Sequence, residues 1–543
     1  MNIYEIERFV IDNAVNYNGK ANLGSVIGAL MGLHPELRSK AKELTPEIKK
    51  IVDKVNAMDL EEQKKLLREY GAIEKPEKIE KDKMPELKNS KNVVVRFAPN
   101  PNGAISFGHC RPALWNWFIK GHYTGKYLLR FDDTDPQVKP PIKEAYSWFK
   151  DDLKWLGIKP SKIIIQSKRL KKYYKYAQEL INIGGAYVCT CNSEKKRELL
   201  HKSIKCPCVD KYQTDRWKWM FDGTYKAGEA VLRIKTDINA PNPALRDWAA
   251  FRIVSENKHP LDSKSVVWPL LNFASAIDDH DFKVTHIVRG IDLQVSDDRQ
   301  KYLYSYFGWK YPETMYHGKL LVSGIKSTSE TVKLINEGKV SGWDDPSLGT
   351  IRALRRRGFC PEAIRKFMYD VGIKKTDINV SFETLASFNR EFIDGKTKRY
   401  FFVENPQKMM IADSPDLEIE APSHPELNMG VRKFDTHQYF YVSDKIEKGV
   451  LYRFMHLFNF INGKYHSAEM DKSLKAKLIH WLPVSPENIK VEVLMSDGSV
   501  KKGLGESALK KLKVGSVVQF ERFGFVRLDQ KFENKLIFVF GHK

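Results

Sequence analysis

No stretch of this sequence reaches the roughly 18 consecutive apolar residues a membrane helix needs, so no membrane association is expected. Cysteine is scarce, with six in 543 residues, too few for a disulfide scaffold. The opening Met1-Asn2-Ile3-Tyr4-Glu5-Ile6-Glu7 has neither the basic end nor the apolar core of a secretory signal. A reducing, cytoplasmic setting is the expectation. Internal repeats and low-complexity tracts are also missing. Acidic charge is in short supply: 68 Asp and Glu stand against 90 Lys and Arg, a net +22. That excess suits a polyanionic partner, although a solvated Lys-rich surface would give the same sum.

What is present is enough for several ordinary cores: 42% hydrophobic, 12% aromatic and 29% charged residues. At roughly 100–200 residues per domain, three to five domains are expected. Residues 1–74 read as a helical domain, with Ile3, Ile6, Phe9, Val10 and Ala14 at helical spacing. Thr45-Pro46-Glu47 reads as an N-cap followed by proline at the first helical position. Residues 75–91 are charged, carry Pro76 and Pro85, and read as a linker. Strands then alternate with helices through 92–188 and again through 263–340, which predicts a parallel α/β sheet. Between them, 189–262 reads as an insertion. Residues 341–394 are helical and basic. Residues 395–543 read as short strands, with Asp497-Gly498 as a hairpin turn, predicting all-β barrels.

The loop 96–109, Arg-Phe-Ala-Pro-Asn-Pro-Asn-Gly-Ala-Ile-Ser-Phe-Gly-His, joins a predicted strand to a predicted helix. Parallel sheets bind ligands outside the carboxyl ends of their strands. A helix start favours anions, and glycine lets a phosphate approach the backbone. Gly108 and His109 are therefore candidates, while Ser106 could simply cap the helix. Cys189, Cys191, Cys206 and Cys208 form two C-x-C pairs, a donor set suited to tetrahedral zinc, with free thiols as the alternative. Arg352, Arg355, Arg356 and Arg357 would either contact phosphates or form a solvated helix face.

The loop 96–109 resembles the first signature of class I aminoacyl-tRNA synthetases, in the glutamyl/glutaminyl branch. So do Leu129-Arg130-Phe131-Asp132-Asp133-Thr134-Asp135-Pro136, the run 268–280, Ser341-Gly342-Trp343-Asp344-Asp345-Pro346 with the arginines after it, and 519–527. Tyr17-Asn18-Gly19-Lys20-Ala21-Asn22 extends the likeness to the N-terminal segment, and the pattern is similar to archaeal-type glutamyl-tRNA synthetases.

The resemblance implies a multidomain protein: a Rossmann-like α/β catalytic domain with a zinc-type insertion, helical N-terminal and linking regions, and C-terminal β-barrels that read the anticodon. It implies that glutamate is activated with ATP and Mg2+ and passed to tRNA(Glu), with tRNA(Gln) as a further acceptor. A monomer is expected. The implied ATP residues are Pro99, Asn100, Asn102, Gly103, Gly108, His109, Lys326, Ser327 and Ser329. Ser106, Gly108, His109 and Lys326 take the catalytic positions. Arg96, Asp132, Asn272 and Arg289 take the substrate. Arg96 is the candidate clamp for the side-chain carboxylate and Asp132 for the α-ammonium, the alternative being a salt bridge between them. Arg399, Tyr400, Phe401, Phe523 and Arg527 resemble the anticodon-reading set, most of them expected in the core.

This sequence departs from the family pattern at four points. Ser106 replaces the first signature histidine. The second signature reads Gly324-Ile325-Lys326-Ser327-Thr328-Ser329-Glu330, without lysine at Thr328 or Glu330. Leu271 stands where a tyrosine is usual, and Ile291-Asp292-Leu293 where an acidic-histidine pair is usual. These departures leave two other readings open: a tRNA-binding paralogue with weak or lost aminoacylation, and a glutaminyl-tRNA synthetase.

Overall fold

The computed structural model describes every residue except 1–2, 17–18, 35–36, 38–39, 71–82 and 324–327. The chain forms two compact units, Met1–Asp82 and Lys83–Lys543. Part of the expected linker, and Tyr17, Asn18, Lys326 and Ser327, lie outside the described residues. The described part of the linker is fixed coil: Lys83 Nζ meets Asp370 at 3.2 Å and the Pro85 carbonyl accepts from Tyr123.

The first unit holds helices Ile3–Asn16, Leu23–Leu33, Ala41–Asn56 and Leu60–Tyr70. The stripe Ile6, Phe9, Val10 and Ala14 packs with Val26, Leu30, Ile48 and Val55 in one core. The third helix begins a turn before the expected Thr45-Pro46 start. Pro46 lies inside it and forfeits one helical hydrogen bond, while Thr45 Oγ1 donates back to the Ala41 carbonyl at 2.6 Å.

The second unit is built on a five-stranded parallel sheet, in the order Lys162–Ile165, Lys126–Phe131, Val94–Phe97, His286–Gly290 and Glu313–His317. The three inner runs carry Val, Ile, Leu and Phe because both faces are covered, while the edge strand Glu313–His317 is half-exposed and has none of them. Helices Phe107–His122 and Ala145–Trp155 bury Leu114, Trp115, Phe149 and Leu153 with the sheet's Val95, Phe97, Leu129 and Phe131. The strand order reverses between Val94–Phe97 and His286–Gly290, and a crevice opens at such a switch point.

An antiparallel sheet of Ala186–Cys189, Val231–Ile234, Ala249–Ile253 and Val267–Pro269 interrupts this pattern, with its own core around Trp217, Phe251 and Trp268. It outruns the expected 189–262 at both ends, because the apolar runs flanking those boundaries pair with each other's neighbours. Helices Ile351–Arg356, Pro361–Val371 and Phe382–Ile393 do not form a separate core: Ile351, Leu354, Phe367 and Leu385 pack into that of the parallel sheet.

The remaining chain is β. A seven-stranded sheet has Arg399–Tyr400 and Phe402–Glu404 as its two edges. These edges adjoin Phe401 on either side, so the sheet must curl until they meet, which makes a barrel. Its core holds Phe402, Val491, Phe520 and Phe538. A second core, around Phe440, Tyr452, Phe454 and Trp481, belongs to the strands between 407 and 483. The Asp497-Gly498 turn joins Ile489–Leu494 to Val500–Gly505, with Gly498 at φ +85°.

Candidate active site

A cavity of about 930 Å³ lies at the switch point. Its floor is made by residues just beyond the strands: Pro99 and Asn100 after Val94–Phe97, Asp132 after Lys126–Phe131, and Arg289 at the end of His286–Gly290. Two helix starts add Gly108 with His109 and Leu271 with Asn272. The opposite wall comes from the antiparallel sheet and its loops, with Arg233, Arg246, Trp248 and Arg252. A second cavity of about 580 Å³ adjoins it, sharing Asn100, His109 and Lys139, and is closed by Asn102, Trp343 and the helix residues Val332, Ile335 and Asn336.

The floor is organised by buried charge. Arg96 is not paired with Asp132. Its Nε and Nη2 donate to Asp279 at 3.4 and 3.5 Å. Arg130 holds Asp132 with Nε at 2.6 Å and Nη2 at 3.1 Å, and Asp279 with Nη1 at 2.6 Å. Burial pulls the Arg96 guanidinium below its ordinary value, against the pull of Asp279. Burial also opposes charge on Asp279, but Arg96 and Arg130 outweigh it and hold the carboxyl low. Arg289 is anchored by Asp297, which also accepts from Tyr311 and Tyr316. Arg130, Asp279 and Asp297 were not singled out from the sequence. A buried Arg-x-Asp at a strand end was the available signal.

Seven basic side chains line the cavity against three acidic ones. The walls also carry buried polar atoms with no hydrogen-bond partner among the described residues: Asn100 Oδ1, His109 Nδ1, Asn272 Oδ1, Arg289 Nε, Arg252 Nε and Trp248 Nε1. Each such atom costs roughly 1–3 kcal/mol if nothing satisfies it. The excess of basic side chains on one cavity marks a site for an anionic ligand. Burial lowers the pKa of His109, so it presents a neutral imidazole.

The expected residues divide. Arg96, Pro99, Asn100, Gly108, His109, Asp132, Asn272 and Arg289 all line the main cavity, and Asn102 lines the second. At Gly108 an added Cβ would meet only Ser106 Oγ, at 3.9 Å. The space there is open to a ligand rather than filled by protein. Ser106 lines neither cavity among the described residues. Its Oγ accepts from the His109 amide at 3.4 Å and caps the helix. Gly103 answers to packing: a Cβ there would stand 2.2 Å from the Trp343 ring. Ser329 falls in the helix Thr328–Asn336, but its side chain is outside what is described. Glu330 is exposed, and Lys333 lies 3.8 Å from Glu337 rather than on either cavity.

Two of the four arginines expected on phosphates are committed elsewhere. Arg357 is buried, donates to the Phe540 and Gly541 carbonyls and stacks over Phe382 at 4.4 Å. Burial brings its pKa down to about 10. Arg356 grips Asp529 with Nε and Nη2. Both tie the connecting helix to the barrel, which corrects their reading as phosphate contacts. Arg355 is 42% exposed and pairs with Asp151, and Arg352 lies over Trp148. Phe401 and Tyr400 are core residues, as expected.

The four cysteines converge. Cys189, Cys191, Cys206 and Cys208 place their sulfurs within 4.8 Å of one another, with 3.7 Å from Cys206 to both Cys189 and Cys191 and 3.8 Å from Cys191 to Cys208. Four thiolates at ~2.3 Å from one tetrahedral zinc stand roughly 3.8 Å apart. Three of the four are buried. Hydrogen bonding to Cys189 and burial push the Cys206 thiol up to about 12, while the same hydrogen bond holds the Cys189 thiol below its ordinary value.

Residues 92–395 match the family model for tRNA synthetases class I (E and Q), catalytic domain, and residues 397–479 and 478–529 match the two anticodon-binding domain models of that group. Among the curated relatives, the chain is 47% identical to the glutamate–tRNA ligase of Pyrococcus furiosus, with 99% of each chain covered. It is 47% identical to that of Pyrococcus abyssi, over 99% of this chain and 100% of the relative, and 44% to that of Methanocaldococcus jannaschii, over 98% of each. The chain belongs to the class I tRNA synthetases of the glutamate and glutamine group, and its archaeal glutamate–tRNA ligase relatives match it from end to end.

Proposed function

We propose that the chain is a glutamate–tRNA ligase that forms glutamyl-adenylate from glutamate and ATP with Mg2+ and transfers glutamate to the terminal ribose of tRNA(Glu), with tRNA(Gln) as a second acceptor. The observation that carries this reading is the cavity at the switch point, lined by seven basic side chains against three acidic ones. The reaction joins two anions there. A glutamate carboxylate oxygen attacks the α-phosphorus of ATP, the bond to pyrophosphate breaks, and a ribose hydroxyl later displaces AMP from the acyl carbon. Alignment and charge stabilisation are what such a step needs.

In this reading Arg96 takes the substrate side-chain carboxylate, with Asp279 behind it fixing the guanidinium plane. Asp132 faces the α-ammonium, while Arg130 and Ser275 hold its oxygens. Arg289 offers its unsatisfied Nε to the reacting carboxylate or phosphate, and the Asn272 carbonyl oxygen, an acceptor, suits the α-ammonium. His109 and Gly108 receive a phosphate at the helix start. The departures at Ser106 and Glu330 remove charge from the phosphate end. The cavity's excess of basic side chains supports retained chemistry over the paralogue reading, because a chain that binds only tRNA elsewhere has no need of a basic pocket at the switch point. The cysteine cluster would hold a structural Zn2+, its four donors and burial leaving no open position. Arg352 and Arg355 remain the candidates for tRNA phosphates. Side-by-side charging of tRNA(Glu) and tRNA(Gln) with glutamate or glutamine tests the assignment: glutamate is attached, and attachment of glutamine alone would replace this reading with the glutaminyl one.

A further inference from the structure

The insertion does more than wall the cavity. After Ala249–Ile253 the chain leaves the wall, loops through 254–266, and returns as Val267–Pro269 to deliver Leu271 and Asn272. That excursion is laced onto residues 133–137, the continuation of the strand end that carries Asp132. Arg252 Nη2 donates to Asp135 at 2.5 Å, Gln137 Nε2 to Ser255 Oγ at 3.1 Å, and the Lys258 amide to the Pro136 carbonyl at 3.0 Å.

The central stitch is His259. Its side chain is fully buried and its ring lies over Trp268, 5.1 Å between centroids. Nε2 donates to the Asp133 carbonyl at 2.9 Å and stands 3.3 Å from the Asp133 carboxylate. Nδ1 accepts from the Leu261 amide at 3.1 Å. Both ring nitrogens are therefore used, each in a fixed sense, by a neutral ring protonated at Nε2. The Asp133 side chain is held as tightly, accepting from the Ser167 amide and hydroxyl and from Tyr146 at 2.6–2.8 Å. The peptide oxygen that His259 grips lies between Asp132 and Thr134, both of which face the cavity.

We infer that His259 is a positioning residue for the amino-acid end of the site. It fixes the 132–135 turn from the side of the insertion, so that Asp132 presents the same oxygens to every incoming substrate. It touches no substrate itself. The inference rests on the proposed ligase reading, and wild-type activity reports on that reading separately. Losing the Nε2 donor frees the turn and weakens binding of the ammonium group, while the phosphate end, built on Gly108 and His109, is untouched.

The experiment is glutamate-dependent pyrophosphate exchange with His259→Asn and His259→Gln. Both replacements are polar, but only the glutamine amide reaches as far as Nε2. The asparagine variant raises KM for glutamate about tenfold, with KM for ATP and kcat within about twofold, and the glutamine variant recovers to within about threefold of wild type. Equal glutamate KM values for the two variants and wild type would overturn the inference, as would parallel changes in both substrates' KM. If the asparagine variant does not fold, Ser255→Ala, which removes an exposed stitch of the same lacing, is measured instead. A selective two- to threefold rise in glutamate KM supports the inference, and no rise contradicts it.

Discussion

At the scale of single residues, burial decides which charges are available. Arg355 and Arg357 lie two positions apart, yet one is exposed and the other spends its guanidinium on barrel carbonyls. Arg357→Ala should cost roughly 2–4 kcal/mol by stranding those carbonyls, read as a lower Tm. Arg355→Ala should leave Tm in place and reduce the salt dependence of tRNA binding by about one phosphate contact. Asp152 gives a pH signature. Both its oxygens are buried without a hydrogen-bond partner among the described residues, and burial raises its pKa from 3.8 to about 7 despite Arg352 nearby. The folded state therefore holds this proton when the unfolded state has released it, so stability falls as pH rises from about 4 to about 7 and then levels. Asp152→Asn removes that loss. Its Tm gain should be near zero at pH 4, grow to a plateau above pH 7, and correspond there to about 1–3 kcal/mol. A gain independent of pH would contradict the assignment.

At the scale of elements, the reading from sequence succeeded where periodicity and turn chemistry agree. The strands Val94–Phe97, Lys126–Phe131 and Val517–Phe520, and the Asp497-Gly498 hairpin, were legible because short β-branched or aromatic and leucine-rich runs end in turn residues. The start of Ala41–Asn56 was not, since Thr45-Pro46 mimics a cap while tertiary packing extends the helix backwards. The ends of the insertion were missed because strand partners distant in sequence define them. Much of the candidate site was legible through its motif loops. Its supporting network was not, because Asp279 and Asp297 are ordinary helix carboxylates until the fold brings Arg96, Arg130 and Arg289 against them. The cysteine cluster is an element-scale device, stapling the loop after Ala186–Cys189 to 206–208. Purified protein should carry about one zinc per chain. Chelation should expose the 186–234 region to protease first, since metal binding and local folding are one equilibrium. No bound metal, together with an unchanged digestion pattern on chelation, would favour free thiols.

At the scale of the whole molecule, the +22 charge acquires two addresses. One is the basic cavity, where ATP and glutamate would meet. The other is the exposed part of the connecting helix, leading to the barrels that match the anticodon-binding models. The departures in the two signature loops make catalysis rather than tRNA binding the claim at risk. Glutamate-dependent exchange of pyrophosphate into ATP, with folded protein and tRNA(Glu) present, tests it most directly. The account predicts exchange that requires glutamate and collapses in Arg96→Ala. Salt-sensitive tRNA binding with no exchange above background would contradict it and leave a tRNA-binding paralogue.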